Sequence, residues 1–349
     1  MATPTTTRNQ SMECAKLIAA FFVVVIHVPF PGAFGNVISC LSRFAVPMFF
    51  AISGYFSYGA DSRKLARRFW HILKLNLLAT ALVIFCKYQG MARWDAGVLL
   101  KLQQLMPTWD KVLRWAILHV NPFSGELWYL TATLACYGVL WGYVRFFERR
   151  EVTYRPLYLA CAALFLIRFF AGDLLRYSGA EIPFYIFRDG WFLGLPMFAM
   201  GMLLRQYQQR ILSAFPLTRG KFLLLFAAAF ALSFLQWEWM GKPELPLATV
   251  LQVALLILFT ASHPSLGIRT GWGNALVSKF GFLSTAIYIL HYRFYEYYAE
   301  QLQLPMEELL GGKEPWLRPV LIILVTLMVS FFLLLLLDGI QKLRSSFAK

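Results

Sequence analysis

Long apolar stretches, each closed by a short group of charged and turn-forming residues, follow one another from residue 13 to residue 338. Stretches able to cross a hydrocarbon layer of about 30 Å occupy 13–31, 41–59, 69–87, 126–146, 156–171, 189–205, 220–236, 246–262, 280–298 and 319–338. The pattern predicts an all-α, polytopic membrane helical bundle of about ten transmembrane helices. Residues 156–171 end in Arg168, and 220–236 span comfortably only if they continue through Trp237. The longest connection, 88–125, sets Leu99, Leu102, Leu105, Met106, Val112, Leu113, Trp115 and Ala116 at helical spacing among charges, which predicts two amphipathic helices lying on the outer membrane surface. No internal repeat, low-complexity stretch or soluble second module interrupts the pattern, so 1–349 is expected to form one integral-membrane domain.

An even number of crossings returns both termini to one side, and charge says which. One set of loops holds Arg8, then Arg63, Lys64, Arg67 and Arg68, then Arg145, Arg149, Arg150 and Arg155, then Arg205, Arg210, Arg219 and Lys221, then Arg269, Lys279, Lys342, Arg344 and Lys349. The opposite set collects the acidic residues Asp95, Asp110, Asp173, Glu181, Glu238, Glu244, Glu307, Glu308 and Glu314. Retention of Lys and Arg inside the cell therefore predicts cytoplasmic termini. The same bias accounts for a net charge of +15, which in a soluble chain would suggest nucleic acid; with no basic soluble module, no nucleic-acid partner is expected, and lipid is. Composition agrees, 59% of residues being apolar and 17% aromatic. Cys14, Cys40, Cys86, Cys136 and Cys161 have neither C-x-x-C nor zinc-type spacing and read as small buried hydrophobes, so no metal is expected. No small-residue cleavage site follows the first stretch, which is expected to remain in the mature protein.

Within that first stretch Lys16 and His27 stand eleven residues apart, which at about 100° per residue places them on nearly the same helix face, separated along its axis by about 16 Å. Each costs about 2 kcal/mol or more against lipid, so both should face a protein-lined or wet interior. A histidine packed between helices is the plain alternative for His27.

Four short motifs then resemble one family, the membrane acyltransferases of the acyltransferase-3 type, which O-acylate surface carbohydrates and related acceptors. They are the basic residue, ten intervening residues and His of Lys16 and His27, RFAVPMFFAISGYF from Arg43 to Phe56, LWYL from Leu127 to Leu130, and STAIYILH from Ser284 to His291. Relatives carry a basic-x-x-Arg element after the second helix; Lys64-x-x-Arg67 fits it, while a register set on downstream apolar residues pairs Arg68 with His71. Relatives often place His just before LWYL, where this chain has Glu126.

The resemblance implies acyl transfer, with acetyl as the expected group, from cytoplasmic acyl-coenzyme A to a hydroxyl of a cell-envelope carbohydrate or related acceptor, in a bacterial inner or plasma membrane. Such chemistry asks for a base, donors for the tetrahedral oxyanion and exclusion of water. His27, with an ordinary pKa near 6.5, suits the base. Glu126 would orient the imidazole, unless it is only a first-turn acid. Arg43 would anchor the acceptor or stabilise the oxyanion, unless it is a structural ion pair. Arg63, Lys64, Arg67 and Arg68 offer guanidinium and ammonium groups to the coenzyme's phosphates, with Lys16 guiding its pantetheine arm; topology alone would also explain that cluster. His291 would line the acceptor cavity or pack between helices. A small-molecule transporter is the alternative from another class, since buried charge also lines substrate routes, but no pair of matched broken helices supports it.

Overall fold

The computed structural model describes residues 9–91, 97–147, 152–268 and 270–347; Arg8, Asp95, Arg149, Arg150, Arg269 and Lys349, named above for topology, lie outside them. Among the described residues the regular structure is helical throughout. Helix α1 (Gln10–His27) starts where the Asn9 side chain accepts from the Met12 amide at 2.9 Å. It stops at His27, ahead of Pro29 and Pro31, whose rings cannot continue a helical ladder. The imidazole therefore stands at the helix end.

The second expected span is two helices, α2 (Gly32–Ser42) and α3 (Ala45–Tyr55), broken at Arg43 and Phe44. Pro47 falls in the first turn of α3, where no intrahelical amide partner is required, so it starts a helix instead of kinking one. Helix α4 (Ser62–Gly90) begins earlier than apolarity suggests, because Asp61 caps it by accepting from the Lys64 amide at 2.7 Å. The basic cluster therefore lies on its first two turns. The connection to the next span holds α5 (Val98–Leu105) and α6 (Trp109–Leu118), short helices at the expected place.

The remaining rods are α7 (Trp128–Phe146), α8 (Arg155–Ile167) continued by a π-helical turn into α9 (Leu175–Tyr177), α10 (Leu195–Ala214), α11 (Arg219–Trp239) and α12 (Leu247–Ser262). Short α13 (Gly271–Ser278) leads into α14 (Phe280–Tyr297), and α15 (Gln303–Leu310) into α16 (Glu314–Phe347). Every apolar stretch predicted to span is thus helical. Seven helical runs among the described residues are long and apolar enough to cross a membrane, and one of these, 271–346, doubles back so that α14 packs along α16.

Lys279 binds Asp338 at 2.7 Å, and Gln10 donates to Asn274, so the start of α1 and the later part of α16 lie at one end of the bundle. We call this the terminal end and its opposite the far end. Helices α1, α3, α4, α7, α10, α12 and α14 supply the central apolar core. Its tightest crossing is between α3 and α10, where a Cβ on Gly54 would overlap the Phe198 carbonyl and one on Gly201 the Ala51 carbonyl. Two missing side chains let two backbones touch.

Candidate active site

Two cavities follow one another along the interior. The larger, about 360 Å³, opens toward the terminal end and is lined by Lys16, Arg68 and His71 with Ser53, Tyr137, Ser284, Thr285 and Tyr288. The smaller, about 50 Å³, lies at the far end and is lined by His27, Arg43, Glu126, Arg188 and Glu244, with Val23, Trp128 and Tyr288 among its other walls. Tyr288 borders both. Its hydroxyl donates to the Glu126 carbonyl oxygen at 2.5 Å, which fixes the ring between them.

Helix α1 contributes to each cavity from a single face: Lys16 to the larger, His27 to the smaller. Lys16 is tied to Glu13 at 3.0 Å and stands 5.7 Å above the Phe56 ring. Of the expected phosphate cluster only Arg68 reaches the cavity wall, where Phe56 and Ser57 accept from it at 2.8 Å. Arg63, Lys64 and Arg67 point outward and are exposed, Lys64 pairing with Asp61 at 3.7 Å. Three residues on from Arg68 along α4, His71 shares the cavity face, so the register that pairs these two is the one that faces inward.

Around His27 the partners differ from those the motifs suggest. Glu126 is buried and accepts from Ser124 and Arg293, forming a buried ion pair with the latter; its carboxylate is engaged there and not on the imidazole. The ring beside His27 is that of His291, with centroids 5.2 Å apart, and the Tyr292 ring also packs on it at 5.3 Å. His291 is completely buried and does not line the cavity. Its Nδ1 lies 2.7 Å from the Tyr288 carbonyl and 3.1 Å from that of Ile287, so Nδ1 carries the proton. Nε2 is then a buried acceptor with no hydrogen-bond partner among the described residues.

Arg43, at the break between α2 and α3, meets Glu244 at 3.4 Å and lies over the Trp237 ring at 4.9 Å. Arg188, from the loop before α10, meets the same carboxylate at 3.6 Å and lies over Trp128 at 5.7 Å. Sequence reasoning missed Arg188, Arg293 and Tyr288 and gave Glu244 only a topological role. Arg293 carried a signal, being an arginine inside an apolar helix. Arg188 and Glu244 stand alone in separate loops, where no spacing marks them.

Basic, aromatic and acidic groups thus converge on the half-buried His27 imidazole in the interior of a multi-pass membrane bundle. The family model described as an acyltransferase domain matches residues 9–335, essentially the whole chain, and the chain belongs to that family, the acyltransferase-3 type of membrane acyltransferase. No curated protein and no solved structure matches it significantly.

Proposed function

We propose that this protein transfers an acyl group, acetyl by preference, from cytoplasmic acyl-coenzyme A to a hydroxyl of a cell-envelope carbohydrate or related acceptor. We place it in a bacterial inner or plasma membrane with both termini in the cytoplasm. The observation that carries the reading is that Tyr288 is a wall common to the basic cavity and to the cavity of His27. Donor and acceptor thereby approach one imidazole from opposite ends.

On this reading Lys16, Arg68 and His71 receive the phosphate and pantetheine portions at the terminal end, cationic groups suited to anionic oxygen. The small space beside His27, about 50 Å³, suits a short acyl group better than a fatty chain. His27 takes the proton of the acceptor hydroxyl as its oxygen bonds to the acyl carbon; the carbon–sulfur bond breaks, and the imidazolium returns that proton to the departing thiolate. The valine, leucine and tryptophan walls around the cavity exclude water.

The test uses purified protein in detergent with radiolabelled acetyl-coenzyme A and crude envelope glycans. Label should pass to glycan with the native protein and not with His27→Ala, while the variant still inserts and elutes as the native protein does. Transfer retained in His27→Ala removes the assignment.

A further inference from the structure

The two interior cavities stand in line, and three helices show the same order. On α1, Lys16 borders the larger and Val23 the smaller; on α3, Ser53 borders the larger and Val46 the smaller; on α7, Tyr129 borders the larger and Trp128 the smaller. Among the described residues Tyr288, on α14, alone borders both.

Tyr288 belongs to a group of aromatic rings at that junction. Its ring meets the Tyr129 ring edge-on with centroids 5.3 Å apart, and Tyr129 packs in turn on Phe49 at 5.8 Å. Between Lys16 and Val23, α1 carries Ala19 and Ala20, small side chains that are fully buried. The phenol is also tethered. Its hydroxyl donates to the Glu126 carbonyl oxygen at 2.5 Å, and Glu126 is itself held through its carboxylate by Ser124 and Arg293. At the other end of the residue, the Tyr288 carbonyl accepts from Nδ1 of His291 at 2.7 Å. Moving the ring aside parts a buried hydroxyl from a buried acceptor, which is costly where no water replaces either.

We propose that Tyr288 is the specificity-determining residue for the acyl group, its tethered ring setting the length of chain that can pass from the larger cavity to His27. The inference rests on the acyl-transfer reading above, in which the donor occupies the larger cavity and its thioester moves toward the imidazole. A short acyl group passes beside a fixed ring. A longer chain needs the ring displaced and the hydroxyl drawn off the Glu126 carbonyl.

Purified protein in detergent is assayed with acetyl-coenzyme A and with octanoyl-coenzyme A as donors and crude envelope glycan as acceptor, and the ratio of the two kcat/KM values is read. The native protein should prefer acetyl. Tyr288→Leu should shift the ratio toward octanoyl by about tenfold or more. Tyr288→Phe, which keeps the ring and loses the tether, should shift it the same way by about threefold. A residue with only a structural role would lower both values in proportion and leave the ratio alone. A native preference for octanoyl, or a Tyr288→Leu ratio within about twofold of the native one, overturns the proposal. Where the leucine variant is misfolded or inactive, an unchanged ratio in Tyr288→Phe overturns it. So does a folded Tyr288→Phe protein that transfers neither group, because the hydroxyl would then belong to the chemistry. The barrier is also read without any transfer. Val23→Cys sets a thiol in the smaller cavity, and in vesicles a charged methanethiosulfonate supplied only on the terminal-end side should modify residue 23 about tenfold faster in the Tyr288→Leu background than with Tyr288 present. Equal rates overturn the proposal. Failure of the acyl-transfer reading would appear differently, as no transfer from either donor by the native protein with the difference in labelling intact.

Discussion

The rings of His27 and His291 lie 5.2 Å apart at an angle of 45°, one at the end of α1 and the other buried on α14. Because Nδ1 of His291 is bonded to carbonyls of its own helix, its other nitrogen is left as an acceptor beside the imidazole that faces the cavity. If His27 is the base of the proposed acyl transfer, the packed ring of His291 would act on it as a positioning residue. His291→Ala should lower kcat by about tenfold or more with the KM for acyl-coenzyme A nearly unchanged. Steady-state kinetics over donor concentration checks the split; a rise in KM alone would point to the donor path instead.

Donor binding should depend on which basic residues face the interior. Lys16→Ala and Arg68→Ala are expected to raise the KM for acyl-coenzyme A by about tenfold each. Arg63→Ala, on the exposed face of the same helix as Arg68, should leave it within about twofold. Equal effects at Arg63 and Arg68 would show that general positive charge, not the cavity, attracts the donor.

Arg293 serves two carboxylates, whereas Glu126 has one cationic partner among the described residues. Arg293→Met should cost about 3–5 kcal/mol by leaving a buried carboxylate unpaired. Glu126→Gln should cost clearly less, because Arg293 keeps Glu296. Thermal unfolding in detergent, followed for both variants, measures the order.

Gly54→Ala and Gly201→Ala should each destabilise by about 1–3 kcal/mol, since the new methyl meets backbone that cannot move aside. Gly142→Ala, whose methyl would enter open space on α7, is the matched control and should be neutral or slightly stabilising. The same unfolding assay reads all three.

His119 follows α6 with φ 58°, buried against Trp191 with ring centroids 5.1 Å apart, and burial lowers its pKa from 6.5 to about 4. A histidine kept neutral by the fold contributes fully above its unfolded value and loses that contribution as pH falls from about 6.5 toward 4. Acidification through this window should raise hydrogen exchange in residues 109–120 and at Trp191. His119→Asn, which tolerates the left-handed backbone and does not titrate, should remove the pH dependence.

Apolar run length and loop charge were enough to locate the helices of a membrane bundle, because a chain in lipid must satisfy its backbone internally and needs about twenty apolar residues to do so. The eleven-residue spacing of Lys16 and His27 likewise required one helix face, and the cost of polar groups in lipid turned that face toward the interior. Two boundaries escaped that logic. Asp61 pulls the start of α4 back over the basic cluster, and the break at Arg43 divides the second span; each depends on local capping and sterics, not on hydropathy.

Only the tertiary structure decided who meets whom around His27. His291, Arg188 and Glu244 lie between 161 and 264 residues away along the chain, so no local spacing could announce them. It gave Glu126 to Arg293 and turned Arg68, not Arg63, toward the cavity. A sequence states which groups are too polar for lipid; which of them neutralise one another, and which remain for a ligand, depends on how the helices close around them.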